Sequence, residues 1–515
     1  MKPRAWASWP WHVLLLAVYP VLALLANNIT QVRLQAAGRA LLVVLAGVSL
    51  LWLALTAVLR SASRAGLLCS LFSLLFFSYG HVYNLLEMQP GWASALGRHR
   101  VLAPIWLILA AAGSRGLLRR LKDTARFTRS LNVVAAVMAT LPLAQLAWFQ
   151  WQSLRVQEQP TNLSAEFTGL RLPQSQPLPD VYYIILDGYA RGDVLQRAMG
   201  FDNSAFLSRL QQLGFYVAAC SQSNYSQTEL SLASSLNLVY LDSLIKIDPE
   251  SQDRLPLRHW LRQSATRQAL EHLGYTFVAF ETGYLFSQFE DAGVYYSRLT
   301  QKVGGMSGFE LLLVKTSAGL LLVDSAKLLP QFLRLDQAAP ANQRREQILY
   351  TLDTLADVPG GVASPKFVFA HIVAPHTPIV FDSNGEAVDY EKPADEASYF
   401  PAYTAEVRYL NGRVIQVIER ILADSPAPPI IIIQADHGHD LASAGDRMAI
   451  LNAYYLPGGG QAELYPSITP VNTFRLVFNR YFGGQFALLP DQSYFSNYVA
   501  PFEFMQLDAS GLNCP

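Results

Sequence analysis

Four of the chain's 9 histidines fall in two short segments, His371-Ile-Val-Ala-Pro-His376-Thr-Pro and Asp436-His437-Gly438-His439-Asp440. A third acidic position, Asp187-Gly188, stands far upstream. Taken singly, each has a plain explanation: Asp-Gly is a turn, His371 a core histidine, Asp-His-Gly a loop. All three, however, sit at the end of short apolar runs that read as strands of one sheet. Imidazoles and carboxylates converging at sheet ends make a divalent metal site, one that suits zinc or manganese.

Such a site calls for a nucleophile. The stretch Cys220-Ser-Gln-Ser-Asn-Tyr-Ser-Gln-Thr228-Glu-Leu-Ser-Leu-Ala-Ser-Ser-Leu-Asn is rich in hydroxyls, and its second half reads as a helix start. Ser226 and Glu229 have capping-box spacing, which places Thr228 in the first helical turn. The hydroxyls could serve only as caps. Alternatively, a hydroxyl at a helix N-terminus beside a divalent cation is activated as a nucleophile, with free helix N–H groups to hold an anion. Ser226 and Ser231 compete with Thr228 for that role.

The elements that must position these groups can be read from hydrophobic patterning. Val181-Tyr-Tyr-Ile-Ile-Leu186 is a short β-rich apolar run, and similar runs recur at Tyr275–Phe280, Lys366–Ile372 and Pro429–Gln434. Helical patterns lie between them at Ser204–Leu213, Arg344–Asp357 and Tyr403–Ala423. Alternation of this kind predicts an α/β domain with a largely parallel sheet, and in such sheets sites collect beyond the carboxyl ends of the strands.

The first 150 or so residues are different. The chain has 515 residues, 51% hydrophobic and 15% charged, and the apolar excess is concentrated near the N-terminus. Five stretches, 11–26, 40–59, 65–86, 100–118 and 131–151, each approach the ~20 residues a membrane span needs. Lys2, Arg4, Arg60, Arg64, Arg115, Arg119, Arg120, Lys122, Arg126 and Arg129 fall on one side of such a bundle. Only Arg33, Arg39, Arg98 and Arg100 fall on the other. The positive-inside rule then predicts a multi-pass protein of the plasma (inner) membrane, with a cytoplasmic N-terminus and everything after about residue 151 extracytoplasmic. Trp6, Trp9, Trp11, Trp148 and Trp151 suit an interfacial belt. His12 and His81 lie near span ends, where snorkelling to the interface is expected. No charged relay crosses the spans, which disfavours a pump, channel or transporter. Net charge is formally zero and no basic-aromatic stripe occurs, so no nucleic-acid partner is expected.

The domain plan is therefore a transmembrane bundle of about five helices over 1–151, a Gln/Pro-rich linker over 152–179 and a catalytic α/β domain over 180–515. A Cys220–Cys514 disulfide is an option in an oxidising compartment. The apolar segments near Phe309 and Gly319 are too short to span. They read either as core helices or as an apolar surface that meets a membrane or a lipid.

The ordered set resembles the alkaline phosphatase/sulfatase superfamily: an Asp after the first strand, a hydroxyl about 40 residues on, a mid-domain His-containing segment and a late Asp-His-Gly. The resemblance covers roughly residues 180–480. With spans before it, the plan is similar to that of lipoteichoic acid synthases and lipid A phosphoethanolamine transferases. This resemblance implies an alkaline-phosphatase-like domain in which Asp187, Thr228, Asp436 and His437 hold the metal. It implies that Thr228 takes the phosphoryl group covalently and that His371 and His376 contact substrate. The implied activity is a phosphotransferase acting on a membrane lipid or lipid-linked substrate. A phosphoesterase or sulfuric-ester hydrolase of the same superfamily is the alternative, and a non-catalytic membrane scaffold is the rival from another class. His439, directly after the motif, is a candidate for supporting a ligand or for a second metal, and a plain loop histidine is the alternative. Cys220 is followed by Ser-Gln-Ser-Asn, not by the Cys-x-Pro-x-Arg of true sulfatases, so formylglycine chemistry is not expected.

Overall fold

The computed structural model describes residues 9–89, 91–157, 167, 169–172, 177–298, 306–325, 330, 335, 338–388 and 395–507. Lys2, Arg4, Trp6, half of the expected linker and Cys514 lie outside the described residues. The chain forms two compact units. One comprises Met1–Leu154 with Gly304–Pro340, and the other Arg155–Val303 with Ala341–Pro515.

The first unit is helical: α1 (His12–Asn27), α2 (Ala37–Leu59), α3 (Ala62–Glu87), the short α4 (Trp92–Gly97), α5 (His99–Arg119) and α6 (Thr124–Gln157). All five apolar stretches are helices. Four of them, within Leu34–Leu59, Ala62–Glu87, His99–Arg119 and Thr124–Arg155, are long and apolar enough to cross a membrane. The first falls short of that length at 16 residues, or ~24 Å against a ~30 Å hydrocarbon core. Exposed Leu42, Leu53 and Val58 on α2 face outward as lipid-facing residues do. His12 does not snorkel as the sequence suggested. It is fully buried, and its Nδ1 lies 2.6 Å from Ser70 Oγ of α3.

The two short apolar segments form helices Gly308–Lys315 and Leu320–Asp324 and belong to this helical unit. Phe309 and Leu313 join the cluster built by α1, α2 and α6. Phe76 O of α3 accepts a bond from Ala318 N at 2.7 Å. Gly80 permits the approach, since a Cβ there would lie 2.4 Å from Lys315 O. Arg39–Glu310 and His99–Asp324 ion pairs add to the seam. The chain therefore leaves the second unit after Val303, packs on the helical bundle and returns.

The second unit is α/β. Its strands are β1 (Val181–Leu186), β2 (Tyr216–Val217), β3 (Thr276–Phe280), β4 (Val294–Tyr296), β5 (Lys366–Ile372), β6 (Ile430–Gln434), β7 (Asn452–Tyr455) and a separate hairpin, β8 (Ser493–Phe495) with β9 (Met505–Leu507). The main sheet runs β2-β7-β6-β1-β5-β3-β4. β6, β1, β5, β3 and β4 are parallel, and β7 alone runs against them, pairing antiparallel with β6 on one side and with the edge strand β2 on the other. Tyr182, Ile184 and Leu186 of β1 enter one core cluster, while Val181, Tyr183 and Ile185 enter another. Successive side chains alternate faces, so β1 is covered on both, which is why it reads as an unbroken apolar run. β1 lies between β5 and β6, and this order brings the three motif-bearing strand ends side by side.

Candidate active site

Asp187 follows β1, His371 is the penultimate residue of β5, and Asp436-His437 follows β6 by one residue. Parallel neighbours end on the same side, so these side chains meet over the carboxyl edge of the sheet. Asp187 N donates to Ile372 O at 3.0 Å, which fixes the exit of β1 against β5. Gly188 has φ +76°, a conformation that glycine adopts without strain. Its N–H donates to Asp436 Oδ1 at 3.0 Å.

Asp187, Asp436 and His437 are fully buried. His371 Nε2 lies 3.1 Å from Asp187 Oδ2, and its Nδ1 lies 3.0 Å from Ser287 Oγ. His437 Nδ1 donates to Gly438 O at 2.8 Å, which leaves the lone pair on Nε2. That Nε2 lies 3.2 Å from Thr228 Oγ1, 3.3 Å from Asp436 Oδ2 and 3.6 Å from Asp187 Oδ1. Burial pushes the Asp187 carboxyl up, but the charge of His376 and the bond and charge of His371 prevail and hold it below the usual carboxylate range. Burial, with the nearby Arg447 charge, lowers His437 and keeps the imidazole neutral.

Thr228 is the first residue of the helix Thr228–Asn237, and Gln227 is the N-cap. The expected capping box does not form. Ser226 Oγ instead bonds the backbone of Ser496, and Glu229 pairs with Arg254 and Arg258. Ser231 Oγ turns to Ser223 Oγ at 3.1 Å. Of the three candidate hydroxyls, therefore, Thr228 is the one that faces His437.

The donor set fits a divalent cation. Two groups of side chains have ligand atoms within 4.8 Å of one another: Asp187, His376 and His437, and Asp187, His371 and Asp436. Asp187 Oδ1 and Asp436 Oδ2 are buried without a hydrogen-bond partner. Buried carboxylate oxygens are costly to leave unpaired, and a cation is the partner that matches them. His371 and His376, expected against substrate, thus each have a ring nitrogen within an ion-holding group.

His376 is partly exposed, and its Nε2 lies 3.4 Å from Asp440 Oδ1. Asp440 also accepts from the Thr377 hydroxyl and from Arg447 Nη1 at 3.0 Å. Burial opposes its charge, but His376 and Arg447 outweigh that and hold it below the usual range. Arg447 donates through Nε to Ser226 O at 3.1 Å and through Nη2 to His437 Nε2 at 3.2 Å. Reading the sequence did not identify Arg447. It comes from the short helix Ala444–Met448, and no spacing pattern marks it. Asp440 lay within the quoted motif but had no role assigned.

His439 is directed elsewhere. It is 2% exposed and ringed by Tyr399, Phe400 and Tyr403, with centroids 5.7–6.0 Å away. Neither ring nitrogen has a partner, and burial pushes its pKa down to about 4. It belongs to neither ion-holding group. Cys220 is disulfide-bonded, and Cys514, its expected partner, lies outside the described residues.

No family model matches the chain, and no curated protein matches it. Among solved structures, the chain is similar to the zinc complex of the C-terminal periplasmic domain of EptC from Escherichia coli. That likeness has a TM-score of 0.43 and 11% identity and covers 65% of this chain and 94% of that one. It is also similar to the integral membrane lipooligosaccharide phosphoethanolamine transferase A from Neisseria meningitidis, with a TM-score of 0.39 and 12% identity, covering 88% of this chain and 89% of that one. A third is the periplasmic domain of phosphoethanolamine transferase EptC from Campylobacter jejuni, with a TM-score of 0.38 and 8% identity, covering 60% of this chain and 91% of that one. These values describe a likeness of outline, and the chemistry assigned to this chain rests on its own residues.

Proposed function

We propose that this chain is a membrane-anchored, metal-dependent phosphotransferase that moves a phospho-headgroup between lipid or envelope substrates through a covalent intermediate on Thr228. One observation carries the reading. Thr228 Oγ1 sits 3.2 Å from His437 Nε2, beside two buried carboxylate oxygens that have no partner. Asp187, Thr228, Asp436 and His437 would hold the ion, with His371 or His376 completing the set. Zinc suits the mixture of imidazole and carboxylate, and manganese is the alternative. When bound, the ion supplies Lewis acidity, which eases loss of the threonine proton and neutralises charge on the phosphoryl group.

The chain's own groups do the rest. Thr228 Oγ1 loses its proton and forms a bond to phosphorus as the bond to the leaving oxygen breaks. The leaving alcohol takes up a proton. The hydroxyl of an acceptor then attacks the phosphothreonine, gives up its proton and restores the threonine. Arg447, held by Asp440 and Ser226 O, presents Nη2 beside the nucleophile and steadies the phosphoryl oxygens. His376, the more exposed histidine, meets the incoming substrate. The charge distribution of the loops supports a cytoplasmic N-terminus and an extracytoplasmic catalytic unit in the plasma (inner) membrane.

The test is incubation of the full-length protein with headgroup-labelled phosphatidylethanolamine or phosphatidylglycerol. Label is expected on Thr228 in a quenched reaction and then on a second lipid or envelope acceptor. Thr228→Ala is expected to lower turnover by about 10⁵-fold. Release of free headgroup alone would instead make the protein a hydrolase. Full activity of Thr228→Ala would remove the nucleophile assignment.

A further inference from the structure

The helical unit carries an open-sided cavity of about 390 Å³ between α1, α3 and α6, bordered at one end by Leu313 and Thr316 at the helix Gly308–Lys315. That volume is in the range of small-molecule sites, ~300–1,000 Å³. Leu16, Pro20, Ala23, Leu24 and Asn27 give α1 an i, i+4, i+7, i+8, i+11 stripe along the wall, so the cavity is a slot that follows the helix. From Leu16 to Asn27 the rise is ~16 Å, about half of a ~30 Å hydrocarbon core. The slot is therefore one leaflet deep. Ser73 and Ser78 on α3, with Ala23 opposite, leave the room that larger side chains would fill.

The polar groups are unevenly placed. Asn27 ends α1 and His81 lies in the last two turns of α3, both towards the Gly308–Lys315 helix, while Leu16, Pro20 and Leu74 line the deeper part. Tyr19, Asn27 and His81 have no side-chain hydrogen-bond partner among the described residues. Asn27 and His81 are exposed near the ends of their spans, at the depth where the ester and phosphate oxygens of a phospholipid lie. The lining contains no acidic residue, so it accommodates ester and phosphate oxygens.

We infer that this slot binds one acyl chain of a membrane phospholipid, taken from the leaflet on the side of the Gly308–Lys315 helix, with its ester and phosphate oxygens bonded by Asn27 and His81. The ligand's role as donor or acceptor of the transferred group rests on the function proposed above, but its binding does not.

The experiment uses full-length wild-type protein in nanodiscs doped with phosphatidylethanolamine that carries an acyl-chain diazirine. Crosslinks are mapped after irradiation. The expected result is labelling of slot residues on α1 and α3 about tenfold or more above the lipid-facing Leu42, Leu53 and Val58 of α2. Ala23→Phe, or the milder Ser78→Leu, fills the slot and should lower that labelling about tenfold. Metal content and turnover of a water-soluble aryl phosphodiester should be unchanged. A long-chain alkane bearing the same diazirine and no oxygen is the second probe, and equal labelling by it would overturn the role of Asn27 and His81. Labelling spread evenly over all lipid-facing surfaces of the wild type would overturn the slot itself. Because the wild-type map needs no variant, misfolding of Ala23→Phe cannot obscure the answer. Loss of phosphodiester turnover in the wild type would count against the proposed function and leave the crosslink map untouched.

Discussion

The two ends of β1 and β5 treat buried charge in opposite ways. At the start of these strands, Lys366 and Asp180 are buried at 0% and 2% exposure, with Nζ 2.6 Å from Oδ2. Every remaining contact is made. Lys366 N donates to Asp180 Oδ1, Ser364 Oγ donates to Asp180 Oδ2, and Lys366 Nζ also reaches Val362 O. At the carboxyl edge of the sheet, beyond β1 and its other neighbour β6, Asp187 Oδ1 and Asp436 Oδ2 are equally buried and have no hydrogen-bond partner. The first arrangement is complete without anything further and serves the fold. The second has carboxylate oxygens that a divalent cation would satisfy, as the proposed metal site requires.

Breaking the unsatisfied end should have the larger effect on activity and the opposite effect on stability. Asp436→Asn is expected to lower turnover on the order of 10⁴-fold and to remove the rise in melting temperature on adding zinc or manganese. Without metal, the same variant should melt above the wild type, by about 1–3 kcal/mol, because a buried unpaired charge has gone. Calorimetry with and without metal reads both. A metal-free variant that melts below the wild type would mean that Asp436 is already satisfied.

Breaking the satisfied end should do the reverse. Lys366→Met leaves Asp180 buried and unpaired, which costs about 3–5 kcal/mol. Replacing both residues with apolar ones of similar volume should recover most of that. Metal content per folded molecule should not change. If it fell, the two ends would not be independent.

A smaller effect is expected at Arg447, which spans Asp440, Ser226 and His437. Arg447→Lys keeps the charge but cannot make three directed bonds. Its kcat/KM for a phosphodiester should fall about 10²-fold, with the melting temperature of the metal-free protein little changed. A loss confined to stability would make Arg447 a structural group.

The contrast between the ends also explains what could be read in the sequence. β1, β3, β5 and β6 were legible because strands covered on both faces are unbroken apolar runs. β2, β4 and β7 were not, because runs of two to four residues carry little pattern. The order that sets β1 between β5 and β6 is a matter of tertiary pairing, which no local run encodes. Asp187, Thr228, Asp436 and His437 could be picked out because each sits at the edge of a legible element. Arg447 arrives from a short helix ten residues past His437. His439 was misleading because adjacency in sequence is not adjacency in space. Gly438 packs its Cα against Asp446 O, where a Cβ would come within 2.6 Å, and His439 enters the aromatic pocket beyond it. The segments near Phe309 and Gly319 showed apolar helical pattern, but a short apolar helix looks the same whether it covers its own domain's core or another unit's bundle.

Glu406 stands between the two cases and gives the finest test of the comparison. It is fully buried on the helix Glu396–Asp424. Its Oε1 accepts from Val380 N at 2.9 Å and Phe381 N at 3.2 Å, while Oε2 has no partner. Together with Arg344, which donates to the carbonyls of Val373, His376 and Thr377, it holds the segment that presents His376. Burial pushes the Glu406 carboxyl up to about 7. A carboxyl raised in the folded state favours the protonated form there. The stability it contributes is full below its ordinary value and is lost as pH rises through about 7. Between pH 5 and pH 8 the wild type should therefore lose up to about 3 kcal/mol from this group alone. Glu406→Gln keeps an acceptor for Val380 and Phe381 and does not titrate. Its stability relative to the wild type should rise across that interval, read by thermal melting in detergent at the two pH values. Parallel curves would mean that Glu406 is ionised throughout, as a carboxylate satisfied in the manner of Asp180 would be.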